Sequence, residues 1–209
     1  MFAFIVGSVL AASVFSQSLV VDGGFESQTL APWWTVTGTV RVEDRVTGRT
    51  GYESHSGQRF AVLAVGIPGS GRPSTSSLSQ TVQTTSATPF YVLEFYLATF
   101  VELGEAGPLA ILTVSWAGVD ATARLVKNGT DRGYQRYTAM LPVPAGLSSE
   151  LRFTLTGYDL NTLWKLDDVA VAPAGQSLSV PDNLTTLSGL CLAACMLEAA
   201  RRLLRKLSL

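Results

Sequence analysis

Apolar and polar residues alternate with a period of two along most of the chain. The stretch PFYVLEFYLATF places Tyr91, Leu93 and Phe95 on one face, and SELRFTLTGY alternates in the same way. This is the pattern of strands with one buried face. The same pattern recurs in QRFAVLAVG, SSLSQTVQT, LAILTVSWAG, YQRYTAMLPV and LWKLDDVAVAP. About nine short strands, separated by Gly, Pro, Ser and Thr, predict an all-β antiparallel sandwich, most simply a jelly roll.

The N-terminal end departs from this alternation. MFAFIVGSVLAASVFSQS is an apolar stretch followed by small residues, which is typical of the helix of a secretory signal peptide. Ser16 and Ser18 would precede a cleavage site before Leu19. The stretch lacks a basic residue at its start, and the alternative is a buried first strand. We therefore predict a signal peptide over 1–18, a sandwich domain over 19–173 and a linker over 174–179.

The C-terminal segment, 180–209, forms the fourth part of the chain. Its apolar run from Leu184 to about Ala200 is near the lower length limit for one transmembrane helix. The alternative is an amphipathic helix packed on the domain. Basic residues follow, and they are expected on the cytoplasmic side of the inner membrane: Arg201, Arg202, Arg205 and Lys206. The sandwich would then lie outside that membrane.

The amino-acid composition excludes several kinds of binding site. The net charge of −1 in 209 residues gives no electrostatic basis for nucleic-acid binding. Both cysteines, Cys191 and Cys195, lie in the C-terminal run, so the predicted sandwich has neither a disulfide nor a cysteine metal site. His55 is the only histidine, and without a partner signal we expect it to be structural.

Catalytic motifs are missing from the sequence. No nucleophile elbow, histidine cluster or phosphate loop is present. A glycosidase needs two carboxylates that face each other, whereas the adjacent Asp167 and Asp168 should point apart along a strand. We therefore predict that the protein is not an enzyme.

An ordered series of motifs resembles a known family. The series, LVVDGGFES, APWW, SHSGQRFAVL, SLSQTV, YVLEFYLA and WKLDDVAV, is similar to the galactose-binding-like jelly rolls of bacterial exported proteins, which are related to carbohydrate-binding modules and to plant cell-wall β-sandwich proteins. The resemblance covers about 19–172 and implies a structural calcium ion, for which oxygen ligands are suited. Glu26 and Asp167 are the implied ligands, with Asp168 in reserve. Alternatively, these acids accept hydrogen bonds from backbone N–H groups or pair with arginine.

Exposed aromatic rings are the candidate carbohydrate contacts, because pyranose C–H faces stack on them. Trp33 and Trp34 point opposite ways if the chain is extended, and Trp34 is the candidate of this pair. Tyr52 and Tyr134 are expected at the surface because they lie in polar segments flanked by glycine. Trp116 and Trp164 are expected in the core.

The C-terminal segment has a resemblance of its own. The order Val180-Pro181-Asp182, apolar run, basic cluster resembles the sorting signals that exosortases process in Gram-negative bacteria. It is closest to the Val-Pro-Asp-Ser-Gly variety, a relative of the Pro-Glu-Pro variety, although Asn183 and Leu184 replace Ser and Gly. The resemblance implies an exosortase-like partner, transient anchorage in the inner membrane, and delivery to the cell surface or extracellular matrix.

These expectations converge on one function. We predict an exported, non-catalytic β-sandwich protein that binds extracellular polysaccharide. The first alternative is a structural or adhesive matrix protein without glycan binding, and the second is a small polysaccharide-acting enzyme.

Overall fold

A computed structural model of the chain describes residues 16–46, 52–65, 73–85, 88–101, 110–157, 162–175 and 178–179. The predicted sorting motif and terminal helix, 180–209, lie outside the described residues, as does most of the predicted signal peptide. Within the ranges given, no helix is long and apolar enough to cross a membrane.

The described residues form thirteen strands and one short 3-10 helix, Thr122–Arg124. The strands are β1 (Ser16–Gln17), β2 (Thr35–Thr37), β3 (Thr39–Asp44), β4 (Arg59–Ala64), β5 (Ser74–Gln83), β6 (Phe90–Val101), β7 (Ala110–Trp116), β8 (Val119–Asp120), β9 (Val126–Asp131), β10 (Tyr134–Pro142), β11 (Ser148–Gly157), β12 (Thr162–Pro173) and β13 (Leu178–Ser179).

Two antiparallel sheets make up the sandwich. The six-stranded sheet has the order β3-β4-β12-β6-β10-β9, and the five-stranded sheet has the order β2-β5-β11-β7-β8. The predicted all-β antiparallel sandwich is therefore confirmed. A separate parallel pair joins β1 to β13. These two strands fall within the predicted signal peptide and the predicted linker.

The core lies between the sheets and is built by the alternating residues. Phe95 from β6 meets Phe153 from β11 edge to face, with ring centroids 5.1 Å apart. Tyr91 and Trp116 are both buried, and the Trp116 indole N–H donates to the Pro142 carbonyl at 2.9 Å. Trp116 is in the core as predicted, because its position alternates with the exposed positions of β7.

A β-bulge in β12 changes the expected alternation of the two aspartates. The register against β6 shifts between Asp167 and Ala170, and Asp168 has a φ of +48°. Two residues of β12 therefore face one residue of β6. As a result, both aspartate side chains reach the same neighbouring loop. The prediction that Asp167 and Asp168 point apart is wrong for this reason.

The VDGGFES motif packs directly on this bulge. The Val169 N–H donates to the Gly23 carbonyl at 2.9 Å. A Cβ atom at Gly23 would lie 1.9 Å from the Val169 carbonyl oxygen. Glycine is required at position 23 because two backbones meet there, and the first and last motifs of the resemblance are in contact.

Candidate functional site

Residues 52–58, the anchored loop, lie across the outer face of the six-stranded sheet. The ring of His55 stacks on that of Tyr96, with centroids 3.5 Å apart and planes at 16°. Tyr96 lies between the core residues Phe95 and Leu97 in β6, so its side chain points away from the core. The Tyr134 hydroxyl donates to the Glu53 carbonyl at 2.9 Å. The loop is thus held to the sheet by aromatic and polar contacts.

Asp167 is the central acceptor for this loop. It is fully buried, and its Oδ2 accepts the backbone N–H groups of His55 at 2.8 Å and of Ser56 at 3.3 Å. Its Oδ1 accepts the N–H of Asp168 at 2.8 Å. Burial raises the pKa of the Asp167 carboxyl well above its ordinary value, and the charge of Asp168 raises it further.

Asp168 binds the same loop through side chains. Its Oδ1 accepts the Ser56 hydroxyl at 2.7 Å, and its Oδ2 lies 2.5 Å from His55 Nδ1. The other ring nitrogen, Nε2, lies 3.2 Å from an Asp131 carboxylate oxygen at the β9–β10 turn. His55 therefore links the β12 bulge to this turn, which agrees with the structural role expected for it.

Glu26 holds the far end of the loop. Its Oε1 accepts the N–H groups of Gln58 at 2.8 Å and of Arg59 at 3.1 Å. In return, the Arg59 guanidinium donates to the Glu26 carbonyl at 2.7 Å. Gly57 has a φ of +55°, and a Cβ there would lie 2.1 Å from Glu26 Oε1. Glycine is thus required for the carboxylate to approach the loop backbone.

The two acids predicted as calcium ligands do converge on one loop, but they accept backbone hydrogen bonds there. N–H groups donate to Oε1 of Glu26 and to both oxygens of Asp167. Among the described residues, no group of three or more His, Cys, Asp or Glu side chains is placed to hold a metal. These contacts match the alternative given above, in which the acids accept hydrogen bonds from backbone N–H groups. Calcium stays a prediction.

Two of the three predicted carbohydrate contacts are not at the surface. Trp34 is 4% exposed and donates through its indole N–H to the Asp22 carbonyl, and Tyr134 is fully buried. The expected exposure of these two rings is wrong. Trp33 is the exposed member of its pair, at 47%. Tyr52 is partly exposed and lines a shallow hollow that also includes Lys165.

Tyr134 is buried in contact with a buried lysine. Lys165 is 6% exposed, and its ammonium lies 4.8 Å from the Tyr134 ring centroid and 5.6 Å from that of Phe60. Its Nζ is also 4.0 Å from a carboxylate oxygen of Glu53. Burial lowers the pKa of this lysine. The alternation of β12 placed Lys165 on the same face as Asp167 and could have indicated a buried charge.

A polar groove lies beside the anchored loop. It has a volume of about 410 Å³ and is lined by Arg45, Glu53, Ser54 and Arg132. The Arg132 guanidinium donates to the His55 carbonyl at 2.9 Å. We call this the arginine groove.

A second opening, the inter-sheet cleft, enters the sandwich from the side. Its volume is about 260 Å³, and its lining is mainly aromatic and aliphatic. The lining residues are Phe95, Leu97, Leu112, Thr122, Leu125, Lys127, Tyr137 and Trp164.

The aromatic rings of the cleft are partly accessible. Tyr137 and Trp164 are partly buried and pack against the core, so Trp164 is less enclosed than predicted. Tyr137 stacks on Phe95 with centroids 5.2 Å apart, and the Lys127 ammonium lies 5.9 Å from the Tyr137 ring centroid. The indole N–H of Trp164 is buried and has no hydrogen-bond acceptor in the described part of the chain.

Comparison with known proteins shows the fold. The chain is similar to TmCBM61, solved in complex with β-1,4-galactotriose, at 18% identity and a TM-score of 0.51, covering 76% of this chain and 99% of that one. The described sandwich therefore shares the jelly-roll fold of that structure. The enzymatically active domain of bacteriophage CBA120 tailspike protein 4 (15% identity, TM-score 0.47, 75% of this chain and 21% of that one) is less similar. The CBM22-1 xylan-binding domain of Paenibacillus barcinonensis Xyn10C is also less similar, at 16% identity and a TM-score of 0.43, covering 75% of this chain and 94% of that one.

Identities this low show the fold alone. No family model matches the chain, and no curated protein matches it. A shared fold does not identify a ligand.

Proposed function

We propose that the protein binds carbohydrate, without catalysis, in the inter-sheet cleft. The observation that carries this proposal is the pair of partly accessible aromatic rings in a single concave site, one of which, Trp164, has a buried N–H without an acceptor in the described ranges. Tyr137 and Trp164 line the cleft with partly accessible rings that pyranose C–H groups can contact. Concave, mostly apolar sites with few polar groups are the usual form of small-ligand sites.

The polar groups of the cleft differ in what they can offer a sugar. The Thr122 hydroxyl is already used, because it accepts the Val114 N–H at 2.9 Å. Trp164 is different, since a buried N–H without an acceptor costs about 1–3 kcal/mol. Because this N–H is enclosed, a sugar oxygen would accept from it only if the Trp164 side chain shifts. Lys127 adds a donor that lies over the Tyr137 ring.

The similarity of fold to TmCBM61 is consistent with this proposal. That protein was solved with β-1,4-galactotriose, so a jelly roll of this shape is compatible with glycan binding. The similarity does not identify the glycan.

The test is a binding measurement with matched variants of the full chain. Affinity for β-1,4-galactan, xylan and polygalacturonate is measured for the wild type, Tyr137→Leu, Trp164→Phe and Trp33→Ala. We expect binding to at least one polymer, about tenfold weaker in Tyr137→Leu, because aromatic contacts dominate such sites. Trp33→Ala, which removes an exposed ring elsewhere, should bind as the wild type does. Absence of binding to any glycan, together with matrix association, would favour a structural or adhesive role instead.

We further propose export and delivery by the C-terminal segment. The support is the sequence: a signal-peptide-like start, and the order Val180-Pro181-Asp182, apolar run, basic cluster. An exosortase-like enzyme would process the protein at the inner membrane and release it to the cell surface or to the extracellular polysaccharide. The double variant Pro181→Ala, Asp182→Ala should accumulate in the membrane at full length. Unchanged processing of this variant would reject the sorting role.

A further inference from the structure

The arginines of the described part of the chain fall into two groups. In the first group, the guanidinium forms an ion pair with a carboxylate of a nearby residue: Arg41 with Glu43, Arg59 with Asp44, Arg136 with Glu94 and Arg152 with Glu150. In the second group, no such ion pair is formed within the described ranges, and its members are Arg45, Arg124 and Arg132. Unpaired guanidinium groups are thus the minority, and two of the three line the arginine groove.

The backbone presents Arg132 in an unusual conformation. It occupies the β9–β10 turn with a φ of +49°, followed by Gly133 with a φ of +81°. Positive φ is uncommon for residues other than glycine, asparagine and aspartate. One N–H of the guanidinium donates to the His55 carbonyl at 2.9 Å, which fixes the group beside the anchored loop. A guanidinium has five N–H donors, so most of them remain for a ligand.

The acids around the groove have other contacts. The carboxylate of Asp131, which precedes Arg132 in the turn, lies 3.2 Å from His55 Nε2. The carboxylate of Glu53 lies 4.0 Å from the buried Lys165 ammonium. The Ser54 hydroxyl donates to the Gly57 carbonyl at 3.1 Å. Within the described ranges, Arg45 and Arg132 are thus two cationic groups in one groove that form no ion pair with a carboxylate.

We propose that the arginine groove binds the carboxylate of an acidic glycan, such as a uronic-acid polymer. Planar guanidinium groups match carboxylates with two parallel hydrogen bonds, which makes arginine suited to this anion. The inference rests on the proposed glycan binding. It adds a site, because the groove lies on the outer face of the six-stranded sheet, whereas the inter-sheet cleft opens between the sheets. The net charge of −1 means that any preference for acidic polymers must be local to this groove.

The test compares one polymer in two charge states. Polygalacturonate carries carboxylates, and its methyl ester has the same backbone without them. We expect the full chain to bind the acid about tenfold more tightly than the ester, as charge-assisted hydrogen bonds predict. The preference should disappear in Arg45→Gln/Arg132→Gln and persist in Arg124→Gln, the matched control outside the groove. Added salt should weaken the preference, because both guanidinium groups are exposed.

The outcomes separate this inference from the proposed function. Equal binding of acid and ester would overturn the groove site and leave binding in the cleft intact. A preference that survives in the double variant, at an unchanged melting temperature, would also overturn it. Dextran sulfate tests whether the groove prefers sulfate to carboxylate. Tight binding of dextran sulfate without binding of polygalacturonate would reject a carboxylate ligand. If no polymer binds, both proposals fail.

Discussion

The anchored loop and the inter-sheet cleft differ in whether their buried polar groups have hydrogen-bond partners. In the anchored loop, the carboxylates of Asp167 and Glu26 accept backbone N–H groups, and Asp168 contacts the side chains of His55 and Ser56. In the cleft, the Trp164 N–H is buried and has no acceptor among the described residues. The paired carboxylates serve the fold, whereas the buried Trp164 N–H, which lies beside partly accessible rings, has no such structural pairing.

The acids contact the anchored loop because its backbone N–H groups need acceptors. A loop that crosses a sheet face cannot join the sheet ladder, so its N–H groups need other acceptors. One carboxylate can accept two or more of them, as Asp167 and Glu26 do. The contacts of Glu26 and Asp167 therefore have an explanation in folding that requires no metal.

The largest expected effect comes from removing the central acceptor. Asp167→Ala leaves the N–H groups of His55 and Ser56 without their partner, and we expect a loss of about 3 kcal/mol in the free energy of unfolding. Asp131→Ala is the control, because its carboxylate is 64% exposed and should cost less than about 1 kcal/mol. Urea unfolding measures both. Equal costs would mean that Asp167 does not anchor the loop.

A second substitution tests the contact between the bulge and the first motif. Gly23→Ala places a Cβ against the Val169 carbonyl, and we expect a loss of about 2–3 kcal/mol because backbone has to move. Gly146→Ala is matched to it, since the nearest atom to its Cβ would be 3.9 Å away. This control should change stability by less than about 1 kcal/mol. Similar values for the two variants would contradict the close approach at Gly23.

The pH dependence of stability tests the burial of Asp167. Its pKa is raised in the folded protein, so the folded state binds more protons than the unfolded state above the ordinary pKa of 3.8. Stability should therefore fall as the pH rises from about 4 through the raised pKa, and be unaffected by this group at lower pH. Asp167→Asn should remove this fall, so its stability relative to the wild type should improve between pH 4 and pH 7. A constant difference across that range would contradict the raised pKa.

The smallest expected effect is that of a chelator. EDTA tests the predicted calcium ion. If the N–H groups that donate to the Glu26 and Asp167 oxygens satisfy these carboxylates by themselves, EDTA leaves the melting temperature of the full chain unchanged. A fall in melting temperature that added calcium reverses would establish the predicted calcium ion and would require these contacts to rearrange.

The fold could be predicted from sequence because alternation is a local signal. Tyr91, Leu93 and Phe95 share a buried face as the period of two requires. Trp34 and Tyr134 were misplaced because polar or glycine neighbours do not report long-range packing. Trp34 lies on Phe25, and Tyr134 lies under Lys165, far along the chain from it.

The candidate site was less accessible to sequence reasoning. Nothing in LDDV indicates the bulge that brings Asp167 and Asp168 to one loop, because the bulge depends on the register with β6. Tyr137 and Trp164 were visible as aromatic residues, but the cleft between them exists only once β10 and β12 flank β6.

The central claim is glycan binding in the inter-sheet cleft, and the indole N–H signals of the four tryptophans test it directly. Trp34 and Trp116 already donate to the carbonyls of Asp22 and Pro142, whereas Trp164 has no acceptor in the described ranges. In an NMR titration of nitrogen-labelled protein with a bound glycan, we predict that the Trp164 signal shifts and those of Trp34 and Trp116 do not. Saturating glycan that leaves the Trp164 signal unmoved would contradict the account.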